Sequence, residues 1–157
     1  MSDVRDRRRA ANAVKESLRE LNSHLALLNR VFGGKLELKD ADWHCLDLIS
    51  RHGPISPGAL AKLAGLHPAT MTGILDRLQR GGWAVRERDP DAADRRAVTV
   101  RAVRDRNPEL YRVLAPMNTR MDELCERYTP EQLELIADFL RRTTGASQDA
   151  AAELDAD

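Results

Sequence analysis

The sequence predicts a mainly α-helical chain with one small β-hairpin, and three observations carry that reading. Apolar residues recur at helical spacing near both ends. Two short capped helices follow one another in the middle. After Gly81-Gly82 the apolar period falls to two.

The first element is a long helix whose Val14, Leu18, Leu21, Leu25, Leu28 and Phe32 form a heptad stripe ending at Gly33-Gly34. A second helix runs from about Asp40 to His52 with Cys45, Leu46, Leu48 and Ile49 inward; Gly53-Pro54 ends it. Ser56 then supplies an N-cap with Pro57 at the first helical position, and Gly65 closes that short helix. His67 takes the next N-cap place before Pro68. In this second short helix Met71, Ile74, Leu75 and Leu78 make a buried face. Ala69, Thr70, Gly73, Asp76, Arg77 and Arg80 make an exposed one.

Two short helices joined through a Gly-containing turn are a helix-turn-helix unit. Trp83 and Val85, then Val98 and Val100, alternate with smaller or polar residues, so a hairpin follows with its loop at about Asp89 to Arg95. Asn107-Pro108 caps a further long helix with a stripe at Leu110, Leu114, Met117, Met121, Leu124 and Tyr128. Thr129 to Gln132 is a capping box that opens a last helix reaching Gly145. Residues 1–9 and 146–157 are expected to be disordered.

Charge narrows the function. Lys plus Arg equals Asp plus Glu at 25 each, which excludes a globally basic protein. Between Gly53 and Arg104, however, nine cationic residues face five acids, a local excess that suits a polyanion. Aromatic residues are 4% of the chain, too few for a base-stacking platform. No segment is long and apolar enough to span a membrane, and a cytoplasmic protein is expected. Cys45 and Cys125 stand 80 residues apart without metal-ligand or disulfide spacing.

A helix-turn-helix followed by an arginine-tipped hairpin is a winged helix. One helix enters the major groove of a duplex, and the thin hairpin reaches the neighbouring minor groove, whose narrow form attracts guanidinium groups. Asp94, two residues before Arg96, is placed to orient that arginine by a charge-assisted contact. The long apolar stripes exceed what this module can cover, so they call for a second copy of the chain.

The stretches LAKLAGLHPATMTGILDRLQRGGWAVRERDP and DRRAV resemble the multiple-antibiotic-resistance regulator (MarR) family of bacterial transcription factors. The motif-level match runs from about Leu38 to Val100, and the flanking helices fit the family layout from Ala10 to Gly145. The resemblance implies a triangular homodimer that binds a near-palindromic operator and represses a neighbouring gene. It also implies release by a small aromatic or phenolic molecule. Residues 38–104 become the DNA-binding domain, and 10–36 with 107–145 the dimerisation helices.

By position, Arg96 matches the family's wing-tip arginine, Asp94 its supporting aspartate and Arg86 the strand arginine at the wing base. Thr70 and Thr72 fall on recognition-helix positions. With Ser56, His67, Pro68, Ala69, Gly73, Arg77 and Arg95 they make up the expected DNA-binding set. Trp43 and His44 are the expected ligand-pocket residues, with plain core the alternative for Trp43. The chain departs from the family where His67 replaces serine, where Gly73 replaces a frequent arginine, and where Ala92-Ala93 lengthens the wing loop.

Blander readings accompany these. Arg77 faces a phosphate or pairs within its helix. Cys45 is a small buried hydrophobe rather than a redox sensor. His24, His44, His52 and His67 do not converge as zinc ligands, so neither metal nor cofactor is expected. No nucleophile-base pair or phosphate loop appears, and an enzyme is not expected. Two alternatives to a ligand-switched repressor are a winged helix used for protein contacts and a ligand-independent architectural DNA-binding protein.

Overall fold

The computed structural model describes residues 2–88, 93–94 and 97–155. They fall into two compact units, Met1–Val113 and Leu114–Asp157. The order of elements is α1 (Ser2–Lys35), α2 (Asp40–His52), α3 (Pro57–Ala64), α4 (Pro68–Arg80), β1 (Ala84–Arg88), β2 (Val98–Ala102), a 3-10 turn (Arg104–Arg106), α5 (Asn107–Cys125) and α6 (Pro130–Asp155).

The first unit holds the core. Leu46, Ile49, Leu60, Met71, Ile74, Leu75, Leu78 and Val100 are fully buried where α2, α3, α4 and β2 meet. Each such side chain contributes about 1.5–3 kcal/mol by leaving water. The face of α4 expected to be buried is the face that is buried, because its apolar residues recur at three and four.

Local chemistry sets the element ends. The Ser56 hydroxyl accepts from the Ala59 N–H at 3.1 Å, as its N-cap position requires. Thr129 and Gln132 exchange bonds at 2.9 and 3.3 Å, closing the expected capping box. Gly82 has φ of 72°, a left-handed conformation that lets the chain leave α4 and enter β1 across only three residues. Strands β1 and β2 pair antiparallel with Arg86 opposite Val100. Ile55 bridges Val100 from outside the hairpin, its N–H donating to the Val100 carbonyl at 3.0 Å.

Three expected boundaries are corrected. Helix α1 does not stop at Gly33-Gly34. It runs on to Lys35, and buried Gly33 instead permits close approach, since a Cβ there would lie 3.1 Å from the Leu38 carbonyl oxygen. Residues 4–9 and 146–155, expected to be disordered, are helical. Alanines at 10, 11, 146 and 150–152 carry high helix propensity, and Gly145 is tolerated inside α6. Asn107 is no cap: it already has helical dihedrals and follows a 3-10 turn at Arg104–Arg106.

In the second unit none of the described residues is buried. Met121, Leu124, Tyr128, Ile136, Phe139 and Leu140 are all exposed. In α1 the stripe residues Val14, Leu21 and Leu25 are exposed as well. No helix among the described residues is long and apolar enough to cross a membrane.

Candidate nucleic-acid interface

Helix α4 carries the candidate site. Because Met71, Ile74, Leu75 and Leu78 face the core, Pro68, Ala69, Thr70 and Thr72 face outward and are exposed. The Thr72 hydroxyl donates to the Pro68 carbonyl at 3.1 Å. Gly73 has no side chain, so the N-terminal part of this face is built of small residues.

His67 acts as the N-cap of α4. Its Nδ1 accepts from the Ala69 N–H at 3.2 Å, so Nδ1 is unprotonated here and Nε2 carries the hydrogen. The imidazole thus does what serine does at Ser56, at the end of α4 where backbone N–H groups favour an anion.

Arg77 is not paired within α4, and its side chain keeps 39% of its surface exposed. Its Nε and Nη2 donate to the two carboxylate oxygens of Asp42 at 2.8 and 2.7 Å, a bidentate pair across to α2. Asp42 is 3% exposed, the one buried acid among the described residues. Its hydrogen bonds raise the Arg77 guanidinium further above its ordinary range, with burial opposing. Beneath the pair lies Cys45, fully buried. Burial first, then the Asp42 charge, push its thiol up to about 11, while Arg77 pulls the other way. The buried-hydrophobe reading of Cys45 stands.

Arg86 is spoken for by α4. Its Nη2 donates to Asp76 and its Nη1 to Gln79, both at 2.8 Å. Together with Arg80 these residues line an open cleft of about 560 Å³ between α4 and β1. On the same hairpin Arg101 pairs with Glu87 at 2.5 Å and holds that carboxyl below the usual range. Asp94 accepts from the Ala97 N–H through its carbonyl at 2.9 Å. Arg95 and Arg96, the expected wing-tip residues, lie outside the described residues.

Trp43 and His44 line one cavity of about 240 Å³ between α1 and α2, beside Asn29, Arg30, Asp40 and Asp47. Trp43 is nevertheless mostly core: 3% exposed, edge-on to Phe32, with its indole N–H donating to Asn29 at 3.3 Å. Among the described residues no group of His, Cys, Asp or Glu converges as a metal site.

Asp42, Asp76 and Gln79 carry no sequence signal as partners of the site arginines. Asp42 sits in the first turn of α2, where an acid is already explained by the helix dipole. No spacing rule links it to a residue 35 positions away.

Residues 38–98 match the MarR family. Over that segment the chain resembles MarR-family proteins. It is 29% identical over 140 residues to the uncharacterized HTH-type transcriptional regulator YcgE of Bacillus subtilis strain 168, covering 89% of this chain and 90% of that protein. The transcriptional regulator Tm0710 from Thermotoga maritima is 25% identical, with a TM-score of 0.61 over 90% of this chain and 98% of that one. NadR, solved in complex with 4-hydroxyphenylacetate, has a TM-score of 0.63 at 24% identity, over 83% and 91% of the two chains. The chain is thus similar in sequence and fold to proteins named as transcriptional regulators.

Proposed function

We propose that this chain is a MarR-type regulator that acts in the cytoplasm as a homodimeric repressor on a near-palindromic operator, and that a small aromatic molecule releases it. The observation that carries the reading is the outward face of α4: Pro68, Ala69, Thr70 and Thr72 stand exposed beside the α4–β1 cleft that holds Arg80 and Arg86. Small polar groups on one helix suit base edges, and guanidinium groups beside them suit phosphates.

Residues 38–104 form the DNA-binding module in this proposal. Segments 10–36 and 107–145 form the dimer, since their exposed apolar residues at heptad spacing need a partner that water does not supply. Two copies put two α4 helices on one duplex, which is why the operator is expected to be near-palindromic. The ligand reading draws on NadR, which binds 4-hydroxyphenylacetate, and on the cavity that Trp43 and His44 share. Arg95 and Arg96 are assigned to the minor groove on sequence alone.

Footprinting on the DNA upstream of the chain's own coding sequence tests this. Protection of one site with twofold symmetry is expected, with Arg96→Ala weakening it by ~1–3 kcal/mol. Protection without symmetry, or an Arg96→Ala affinity equal to wild type, would contradict the dimer or the wing assignment respectively.

A further inference from the structure

We propose that Asp42, which lies on another helix, is a positioning residue of the DNA-binding face. It fixes the rotation of α4 through Arg77 and so decides where Thr70 and Thr72 point. This rests on the reading of α4 as the recognition helix.

The apolar contacts of Met71, Ile74, Leu75 and Leu78 hold α4 in the core, but burial of this kind has no preferred direction. The Asp42–Arg77 contact does. Two N–H···O bonds at 2.8 and 2.7 Å share one plane and constrain both rotation about the α4 axis and sliding along it. Thr70 and Arg77 are two turns apart on nearly the same stripe of the helix, a separation of about 10 Å. A change at Arg77 therefore turns Thr70 with it. Asp42 is buried in the first turn of α2, and both of its oxygens are engaged by Arg77. Asp42 is buried while the Arg77 side chain is 39% exposed, and in this proposal the pair acts by specifying one arrangement rather than by adding net stability. Arg77 thereby spends its Nε and Nη2 on α2.

The two roles leave different signatures. A phosphate contact weakens binding to all sequences alike, and its removal lowers the slope of log affinity against log salt by about one. A positioning residue weakens only the specific complex and leaves that slope alone. The experiment uses the full chain and a duplex it selects from a randomised pool, with a scrambled duplex as control. Wild type, Asp42→Ala, Asp42→Asn, Arg77→Ala, Arg77→Lys and the Asp42→Ala/Arg77→Ala pair are compared across salt, after thermal melting identifies the folded variants.

The expected result is a roughly ten-fold or greater loss on the selected duplex for Asp42→Ala and for Arg77→Ala, with the scrambled duplex and the salt slope unchanged. The double variant is no worse than either single one, as coupled residues require. Asp42→Asn, which keeps the shape and one acceptor, loses less. Arg77→Lys does not rescue, because an ammonium makes no bidentate pair. Wild-type affinity in the folded Asp42 variants overturns the proposal, as does a reduced salt slope in Arg77→Ala. A wild-type chain that selects no duplex overturns the regulator reading itself, and that outcome arrives before any variant is compared.

Discussion

The guanidinium of Arg106 lies over the indole of Trp83, 3.7 Å from the ring centroid. The same group donates to the Gly81 carbonyl and to Glu109, each at 3.0 Å. Arg106 thus ties the start of α5 to the junction of α4 and the wing. It is a cation stacked on a buried aromatic and hydrogen-bonded on two sides.

Replacing it should be costly. Arg106→Ala removes a cation–π contact and two charge-assisted bonds, and is expected to lower stability by ~1–3 kcal/mol. Arg106→Lys should recover only part of this, because an ammonium cannot stack flat while reaching both acceptors. Urea unfolding measures both. A wild-type midpoint for Arg106→Ala would show that the stack carries no weight.

Cys45 makes stability fall in alkali. Its thiol ionises at about 11 in the folded chain against 9.0 for an ordinary one. Below pH 9 both states hold the proton, so nothing is lost. Between 9 and 11 the unfolded chain releases its proton while the folded chain keeps it, so stability declines as pH rises through that window. The loss attributable to Cys45 is expected to reach ~2–3 kcal/mol by its upper edge. Cys45→Ala should flatten this part of the profile, measured as the difference between the two proteins. Parallel profiles would refute the assignment. In a Cys125→Ser background, a thiol reagent should likewise label Cys45 only at the rate of unfolding.

His67 is a cap that can be exchanged. Serine at this position offers a better acceptor for the Ala69 N–H, so His67→Ser should hold or raise stability, whereas His67→Ala should cost ~0.5–2 kcal/mol. Thermal melting of the two variants decides it. Equal melting temperatures would mean that the 3.2 Å bond contributes nothing.

The exposed stripe of α1 should govern assembly. Leu25→Glu places a charge among residues proposed to meet a second copy, and sedimentation should show the dimer shifted toward monomer with the winged helix still folded. An unchanged mass would move the interface elsewhere. Leu27 and Val31 are also exposed on α1, off the heptad stripe, and make the natural next substitutions.

Local signals were the most legible. Ser56, Pro57, Gly65 and the Thr129–Gln132 box announce element ends because caps act within a few residues. The buried face of α4 was readable because periodicity is a one-dimensional property. Gly33 and Gly145 misled for the converse reason. Glycine weakens a helix locally, but the close approach to Leu38 and the alanine-rich continuation of α6 are decided by neighbours. Arg77 and Arg86 were recognisable as important but not in what they touch. Their partners Asp42 and Asp76 are separated from them by 35 and 10 residues, and only the fold brings the charges together.

The most direct test of the regulator is its affinity for the DNA upstream of its own coding sequence, titrated across salt. Tight binding to one site by two copies of the chain is expected, with affinity falling steeply as salt rises, because arginines replace counterions on several phosphates. Weak binding that ignores sequence and changes little with salt would contradict it.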